Sequence, residues 1–504
     1  MNRIKKFCLG LVVAVLADAT AGAQTSQSPK YSADIPSYIT TPDTVETRIG
    51  TLRFNNGVPD QKTVQMVYDQ IDFGRGIEAF LKGMAATSVY AVCQGIDSVG
   101  VKRNQGIGIT EDLMDARSLF LTPNTTTVYV FSCIDLKDGP IVMQVPPGVL
   151  GPVDDAYFRW ATDVGLTGPD AGRGGKYLFV PPGYTGALPT DGYYVVKPRT
   201  NGLVVFYRAF VRGGDIAVAV RNVKDNAKIY PLHGLTESGD PPATVFLNTS
   251  GVKYNTISSN TFRFYEELNA VVQNEPADFV DPNLVGLFAS IGIKKGKPFA
   301  PDARMKAILT DAVAVANGFA RANLFSSRDP QTKIYPDRQW LTPFVGGSYQ
   351  FLSGAERLLD AEAMFFYYAT GITPAMSMAR VGTGSAYAAA LRDAKDSEFD
   401  GGNYSSRTNP RKGILVVCGV RQSDALVAGD RPEVSGSHSN AKGLKKNPDG
   451  SVTLWFGPKA PAGQEGNWVQ TMSGKGWNVL LRLYGPLEPW FDKSWKPGDI
   501  ELVQ

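Results

Sequence analysis

The chain is short of histidine and cysteine and nearly balanced in charge, and each shortage argues against a class of chemistry. Its two histidines, His233 and His438, lie far apart in 504 residues. Neither belongs to an HExxH or other metal-ligand spacing, which argues against a zinc hydrolase built on imidazole ligands. A serine-histidine-acid triad would have to recruit one of them, and no G-x-S-x-G elbow is present. "GTGSAY" (382–387) approaches that motif only loosely, beside an alanine-rich stretch of helical character. Of the cysteines, Cys8 lies in an apolar leader, leaving Cys93, Cys133 and Cys418 with no CxxC pair. Three thiols allow one disulfide, Cys93 with Cys133 for example, but not a disulfide framework. The 51 basic and 48 acidic residues leave a formal charge of +3. Removing the leader, with three basic residues and Asp18, brings this to about +1. Nucleic acid and anionic membranes demand a basic face, so neither is an expected partner. No segment after the leader has the roughly 18 uninterrupted apolar residues of a membrane-spanning helix, so no stable insertion is expected. No metal site or cofactor is expected either.

What is present begins with an export signal. Arg3, Lys5 and Lys6 precede "FCLGLVVAVLA", and "AGA" before Gln24 supplies small residues for cleavage after Ala23. The mature protein is therefore expected in the periplasm or outside the cell. The length suggests about three domains, and 43% apolar content is ample for their cores. Many turns and strands are expected from 53 glycines, 33 prolines, 21 tyrosines and 25 phenylalanines.

Residues 24–60 are polar and read as a tether. Helical spacing of Val64, Val67, Ile71, Ile77, Phe80 and Leu81 predicts a helix starting near Gln61. From about 125 to 215 the pattern is that of strands. Asp138-Gly139 between "TVYVFSCID" and "IVMQVP" predicts a hairpin, as does Asn201-Gly202 between "GYYVVKP" and "GLVVFYRAFV". Residues 255–325 turn helical, with Met305, Ile308, Leu309, Ala312, Val313 and Ala316 in one stripe, and another helix is predicted around "AERLLDAEAMFFYYA". Strands return at "GILVVCGV", "SVTLWFGP" and "WNVLLRLYGP". The expected fold is mainly β with an α-helical middle: a β-sandwich over 61–250, a helical connection over 251–345 and a second sandwich over 346–504.

Two places could carry chemistry. Alternation along the closing strand puts Trp477, Val479, Leu481 and Leu483 on one face, and Asn478, Leu480, Arg482 and Tyr484 on the other. Trp477 belongs to a core face. Arg482 needs acceptors among its apolar neighbours: an ion pair is the plainer reading, a grip on a ligand carboxylate or sugar hydroxyls, with Trp468 nearby, the sharper one. Trp490 and Trp495 are expected to cover the sheet edge. Arg208, on a face with Val204, Phe206 and Phe210, is expected to be buried with a carboxylate. The second place is "VDDAYFRWATDVGLTGPDAGRGGKY" (153–177), where Asp155, Asp163 and Asp170 are candidate acids and bases and Arg159 and Lys176 candidate ligand contacts. Solvated structural turns are the plainer reading of that loop, and no calcium-loop or phosphate-loop spacing is present.

The stretch from "TPNTTTVYVFSCIDLKDGP" to "GPDAGRGGKYLFVPPGY" resembles the domain of unknown function numbered 1254. "DGSVTLWFGPKAPAGQEGNWVQTMSGKGWNVLLRLYGPLEPWFDKSW" resembles the one numbered 1214. The resemblance covers most of residues 60–500. It implies two antiparallel jelly-roll-like sandwiches joined by helices, in bacterial proteins that are commonly exported, and it implies no established reaction. Asn124, Thr127 and Tyr129 match an Asn-x-x-Thr-x-Tyr pattern of the first family; Asn467, Trp468, Arg482, Tyr484 and Trp495 match the second. Asn124 and Tyr129 thereby join the candidate ligand contacts. Residues 412–430 depart from the second family, with Lys412 and Gly413 where bulky aromatics are expected. The expected function is an exported hydrolase or lyase acting on polysaccharide or other envelope material through the carboxylate-rich loop. The alternative is a non-catalytic binding or scaffold protein that uses an inter-domain groove for a small molecule, a glycan or a second copy of itself.

Overall fold

The structure, a computed structural model, describes residues 33–503 except 116, 212, 235–238, 379, 383, 409–413, 422–435 and 439–442, with the backbone alone over 414–421 and 436–438. The expected leader, Lys412, Gly413 and most of the atypical 412–430 stretch lie outside the described residues, as do the side chains of Cys418 and His438. The chain divides into two compact units, Met1–Tyr68 and Asp69–Gln504. Strands and helices share the described residues almost equally, so the fold is α+β rather than mainly β.

Within the first unit, the segment read as a tether contains a three-stranded antiparallel meander: β1 (Thr44–Thr47), β2 (Gly50–Asn55) and β3 (Val58–Pro59). Asn56 and Gly57 connect the last two at φ 50° and 82°, the pair of positive values that a tight hairpin needs. The Asp60 carboxylate accepts from the Thr63 N–H at 2.6 Å, which caps α1 (Gln61–Ser98).

The second unit opens with the rest of α1 and continues through β4 (Gly106–Ile109), β5 (Thr127–Asp135), β6 (Ile141–Val145), β7 (Val149–Asp155), β8 (Trp160–Gly165), β9 (Gly175–Phe179), β10 (Tyr194–Val196) and β11 (Gly202–Phe210). Then come α2 (Ile216–Asn226), β12 (Lys228–Pro231) and β13 (Val245–Asn248). These strands form a six-stranded sheet, β13-β4-β5-β11-β7-β8, and a four-stranded one, β10-β9-β6-β12. Inward side chains of both sheets, among them Val128, Val130, Met143, Tyr177, Val205 and Tyr207, make one core, so the sheets stack face to face. Two sequence expectations change here. The turns at Asp138-Gly139 and Asn201-Gly202 reverse the chain, but each carries it from one sheet to the other: β5 and β6 do not pair, nor do β10 and β11. Turn residues set the backbone reversal; burial of both flanking strands sets the partner. The sheets are also mixed, since β9–β10 and β4–β13 run parallel.

The middle holds α3 (Arg263–Asn274), α4 (Pro282–Ser290) and α5 (Ala303–Phe325). Phe264, Leu268, Phe288, Leu309 and Val313 pack with Phe80 and Met84 of α1 in a single cluster, as the stripe along α5 predicts. Asp281 and Asp302 cap α4 and α5 through the N–H groups of Leu284 and Met305.

The second half contains β14 (Trp340–Leu341), β15 (Leu352–Ser353), β16 (Glu356–Arg357), α6 (Leu359–Tyr368), α7 (Pro374–Ser377), β17 (Ser385–Ala390), β18 (Tyr404–Thr408), β19 (Ile414–Arg421) and β20 (Gly436–His438). It closes with β21 (Val452–Gly457), β22 (Trp468–Gln470), β23 (Trp477–Tyr484), α8 (Glu488–Phe491) and β24 (Glu501–Leu502). Sheets β14-β17-β23-β19-β20 and β22-β21-β18-β24 stack around Trp477, Val479, Leu481, Leu483, Leu454 and Phe456. Among the described pairs of these sheets, only β21–β22 is parallel. The alanine-rich stretch expected to be helical is instead strand β17, "SAYAAA", because it is paired with β14 on one side and β23 on the other. Tertiary pairing overrides alanine's helical preference. Trp490 and Trp495 pack against the margin of this core.

A seam joins the two halves. Val89, Val92 and Ile96 of α1, the outward face of β5 and β11, and Phe344, Phe351, Met364 and Phe365 form one aromatic-rich cluster. Within it a disulfide links Cys93 of α1 to Cys133 of β5.

Candidate functional site

Beside that cluster lies a cavity of about 160 Å³ whose walls come from both halves. The six-stranded sheet contributes Tyr129, Leu150, Phe206 and Arg208, side chains that alternation turns away from its own core. The other side comes from Tyr387 of β17 and from Asn478, Leu480 and Arg482 of β23, the face opposite Trp477. Met364, Phe365 and the segment 369–373 close the cavity. Tyr129, Phe206 and Phe131 stack in nearly parallel planes, with Phe206 centred 5.1 and 5.4 Å from the other two.

Each half places an arginine opposite a tyrosine: Arg208 pairs in register with Tyr129, and Arg482 with Tyr387. Arg208 Nη1 donates to Tyr484 Oη at 2.8 Å, which ties the two halves together. Arg482 Nη2 donates to the Thr122 carbonyl, and its guanidinium lies 5.8 Å from the centre of the Tyr387 ring. The described lining contains both guanidiniums and no aspartate or glutamate. Burial works against the Arg208 charge, but Tyr484, Tyr387 and Tyr129 more than offset it, so the group stays cationic. The carboxylate expected beside Arg208 is replaced by a phenol from the other half. Burial also pushes the Tyr129 phenol upward, opposed by Arg482 and Arg208.

The Asn-x-x-Thr-x-Tyr pattern is a local lock on this site. Asn124 Oδ1 accepts from the Thr127 N–H at 3.0 Å and from its hydroxyl at 2.9 Å. The Asn124 N–H donates to Tyr129 Oη at 2.8 Å, and Asn124 Nδ2 reaches Tyr484 Oη at 3.4 Å. Asn124, Tyr129 and Arg482 therefore come together, with Arg208, Tyr387 and Tyr484 beside them.

The other sequence candidates lie elsewhere. Asp155 is buried and accepts from the N–H groups of Tyr157 and Arg159, while Arg159 Nη2 lies 2.7 Å from its Oδ2. Arg159 is thus engaged at the β7–β8 turn. Asp170 gathers the N–H groups of Gly165 and Gly174 and the Tyr177 hydroxyl, which holds the glycine-rich loop in shape. Lys176 is exposed over the ring of Tyr193. Trp468 is buried, its Nε1 donating to the Gly457 carbonyl at 2.9 Å. None of these residues lines the cavity.

Asp163 and its neighbour Asp154 lie behind the cavity wall. Asp163 accepts from Trp160 Nε1 at 2.9 Å, and burial raises its pKa against donors from Thr373 and Trp160. Asp154 is 1% exposed; its Oδ2 accepts from the Ile372 N–H at 2.8 Å, while its Oδ1 has no hydrogen-bond partner among the described residues. Burial pushes the Asp154 carboxyl well above the ordinary range; the Ile372 N–H opposes this, and the charges of Asp163 and Asp155 add to it. A raised folded-state pKa means that the folded chain holds its proton after the unfolded chain has released it. Asp154 therefore stabilises the fold below the unfolded pKa, and that contribution is lost as pH rises through the folded one. Asp154→Asn keeps an acceptor for Ile372 and removes the charge. It is expected to raise stability by about 1–3 kcal/mol at alkaline pH, the usual cost of an unsatisfied buried group, with the gain shrinking toward acid. Urea midpoints measured against pH check this, and a pH-independent difference would contradict it.

Residues 105–231 match the family described as "Protein of unknown function (DUF1254)" and residues 384–488 the one described as "Protein of unknown function (DUF1214)". The chain is similar to the crystal structure of the VPA0106 protein from Vibrio parahaemolyticus at 15% identity and a TM-score of 0.53, over 86% of this chain and 100% of that one. That likeness concerns the fold. A putative uncharacterized protein from Burkholderia cenocepacia aligns at 10% identity over 86% of this chain and 94% of its own, with a TM-score of 0.36. No curated protein matches the chain.

Proposed function

Taking as premise a chain whose DUF1254 and DUF1214 regions wall one cavity, we propose that it is an exported binding protein for a small molecule with one anionic end, a carboxylate, and an apolar body. The observation that carries this reading is the lining itself: two guanidiniums and, among the described residues, no acidic side chain, at the margin of an aromatic and aliphatic enclosure. A carboxylate accepts charge-assisted hydrogen bonds from a guanidinium, in a fork geometry that a neutral group does not match. The apolar walls favour an acyl or aryl body over a glycan. Export rests on the leader pattern and on the Cys93–Cys133 bridge, since disulfides persist in oxidising compartments. The reading also takes each stacked pair of sheets as jelly-roll-like. A hydrolase or lyase acting through the 153–177 loop has less support, because Asp155 and Asp170 are spent on Arg159 and on loop N–H groups.

The test is calorimetric titration with dodecanoate. The wild-type protein is expected to bind it, and Arg208→Gln to weaken it about 10- to 100-fold, as loss of a charged hydrogen bond implies. Undiminished affinity in a variant with unchanged urea unfolding would remove the basis of the reading.

A further inference from the structure

The segment that closes the cavity, residues 369–373, rests on two acids. Alternation puts Leu150, Pro152 and Asp154 on one face of β7, and Asp163, which pairs with Pro152, on the same side of β8. Leu150 and Pro152 line the cavity; Asp154 and Asp163 lie just past it, at 1% and 4% exposure. The segment covers them directly. Its Ile372 N–H donates to Asp154 Oδ2 at 2.8 Å, and its Thr373 hydroxyl donates to Asp163. Gly371 comes so near that a β-carbon there would meet Phe206 at 3.3 Å, Pro152 at 3.4 Å and Asp154 Oδ2 at 3.6 Å. The Thr370 hydroxyl also ties the segment to the Leu121 carbonyl, at 2.7 Å.

Two acids under one dry cover are tolerable while one of them keeps a proton. Once ionised, Asp154 has one donor for two oxygens, since its Oδ1 has no hydrogen-bond partner among the described residues. Holding a carboxylate away from water costs several kcal/mol, more than one charge-assisted N–H bond returns. Among the described residues no cation pairs with it. The charges that bear on Asp154 are those of Asp163 and Asp155, both negative. Arg159 is paired with Asp155, and Arg208, farther along β11, is bonded to Tyr484. β11 sets Val204 opposite Asp154, residues 369–373 carry no titratable side chain, and Tyr368 before them stays a neutral phenol.

We propose that residues 369–373 are a pH-sensitive lid, shut over the cavity while Asp154 is neutral and lifted when Asp154 and Asp163 are both ionised. Lifting gives the two acids water and leaves both stacked pairs of sheets intact. The shut form binds the proton more tightly than the lifted one. Closure is therefore favoured below the lifted-state pKa of Asp154 and lost as pH rises through the shut-state one. This goes beyond the proposed function and holds for any occupant of the cavity.

The experiment is hydrogen exchange on the ligand-free protein, read as protection factors at about pH 6 and about pH 9, the span across which a strongly raised carboxyl titrates. The Ile372 amide of the wild type is expected to lose protection about tenfold or more at the higher pH, the worth of one pKa unit. The amides of Val128 and Val130, within β5, are expected to keep theirs. Asp154→Asn keeps an acceptor for Ile372 without the charge, and is expected to hold its protection constant; Asp163→Asn is expected to shrink the loss. Equal protection of Ile372 at both pH values, a loss that either substitution leaves undiminished, or an equal loss in β5 would overturn the lid. No ligand enters the measurement, so its outcome is separate from that of the dodecanoate titration.

Discussion

Trp477→Ala is expected to cost about 3–5 kcal/mol, the range for truncating a large buried aromatic. Trp477 is 1% exposed and sits at the centre of the second core, its ring 4.4 Å from Phe399, 5.0 Å from Phe456 and 5.6 Å from Tyr404. Its indole N–H has no hydrogen-bond partner among the described residues, so the loss is one of packing. Trp477→Phe separates the two contributions: it keeps an aromatic ring, drops the unpartnered N–H and should cost about 1 kcal/mol. Urea unfolding of the two variants against wild type measures the difference. Equal losses would place the energy in the indole N–H and contradict the packing account.

Removing the disulfide by Cys93→Ala with Cys133→Ala is expected to lower stability by roughly 4 kcal/mol. That is the loop-closure value for a bridge spanning 40 residues. The bridge pins the end of α1 to β5, beside the aromatic stack that forms one wall of the cavity. Both cysteines are buried, at 6% and 2% exposure, so mild reductant should leave the folded protein intact and act only once the chain is unfolded. Denaturant curves with and without reductant, compared with the double variant, test both statements. Coincident curves for all three would show that the cross-link does not restrict the unfolded chain.

Periodicity made much of this fold legible. A two-residue repeat assigned both faces of β23, and the 3.6-residue repeat located α1, the α5 stripe and α6. Pairing was less legible, because Gly139 and Asn201-Gly202 specify a reversal and say nothing of which sheet receives the next strand. The cavity was only half legible. Arg482, Asn124 and Tyr129 stood out through residue type and motif, but the Arg208 partner is Tyr484, 276 positions away. Only the folded backbone brings them together. The acids of 153–177 drew attention by number, yet loops rich in glycine need acceptors for their own N–H groups, and Asp155 and Asp170 serve that local need.

The two faces of β23 have an evolutionary corollary. Point changes along 477–484 can alter the core or the cavity separately, but inserting or deleting a single residue would turn the whole ribbon over. The indole would then project into the cavity between the halves, and the guanidinium into oil. Homologous chains should therefore vary in letters across this stretch and never in length.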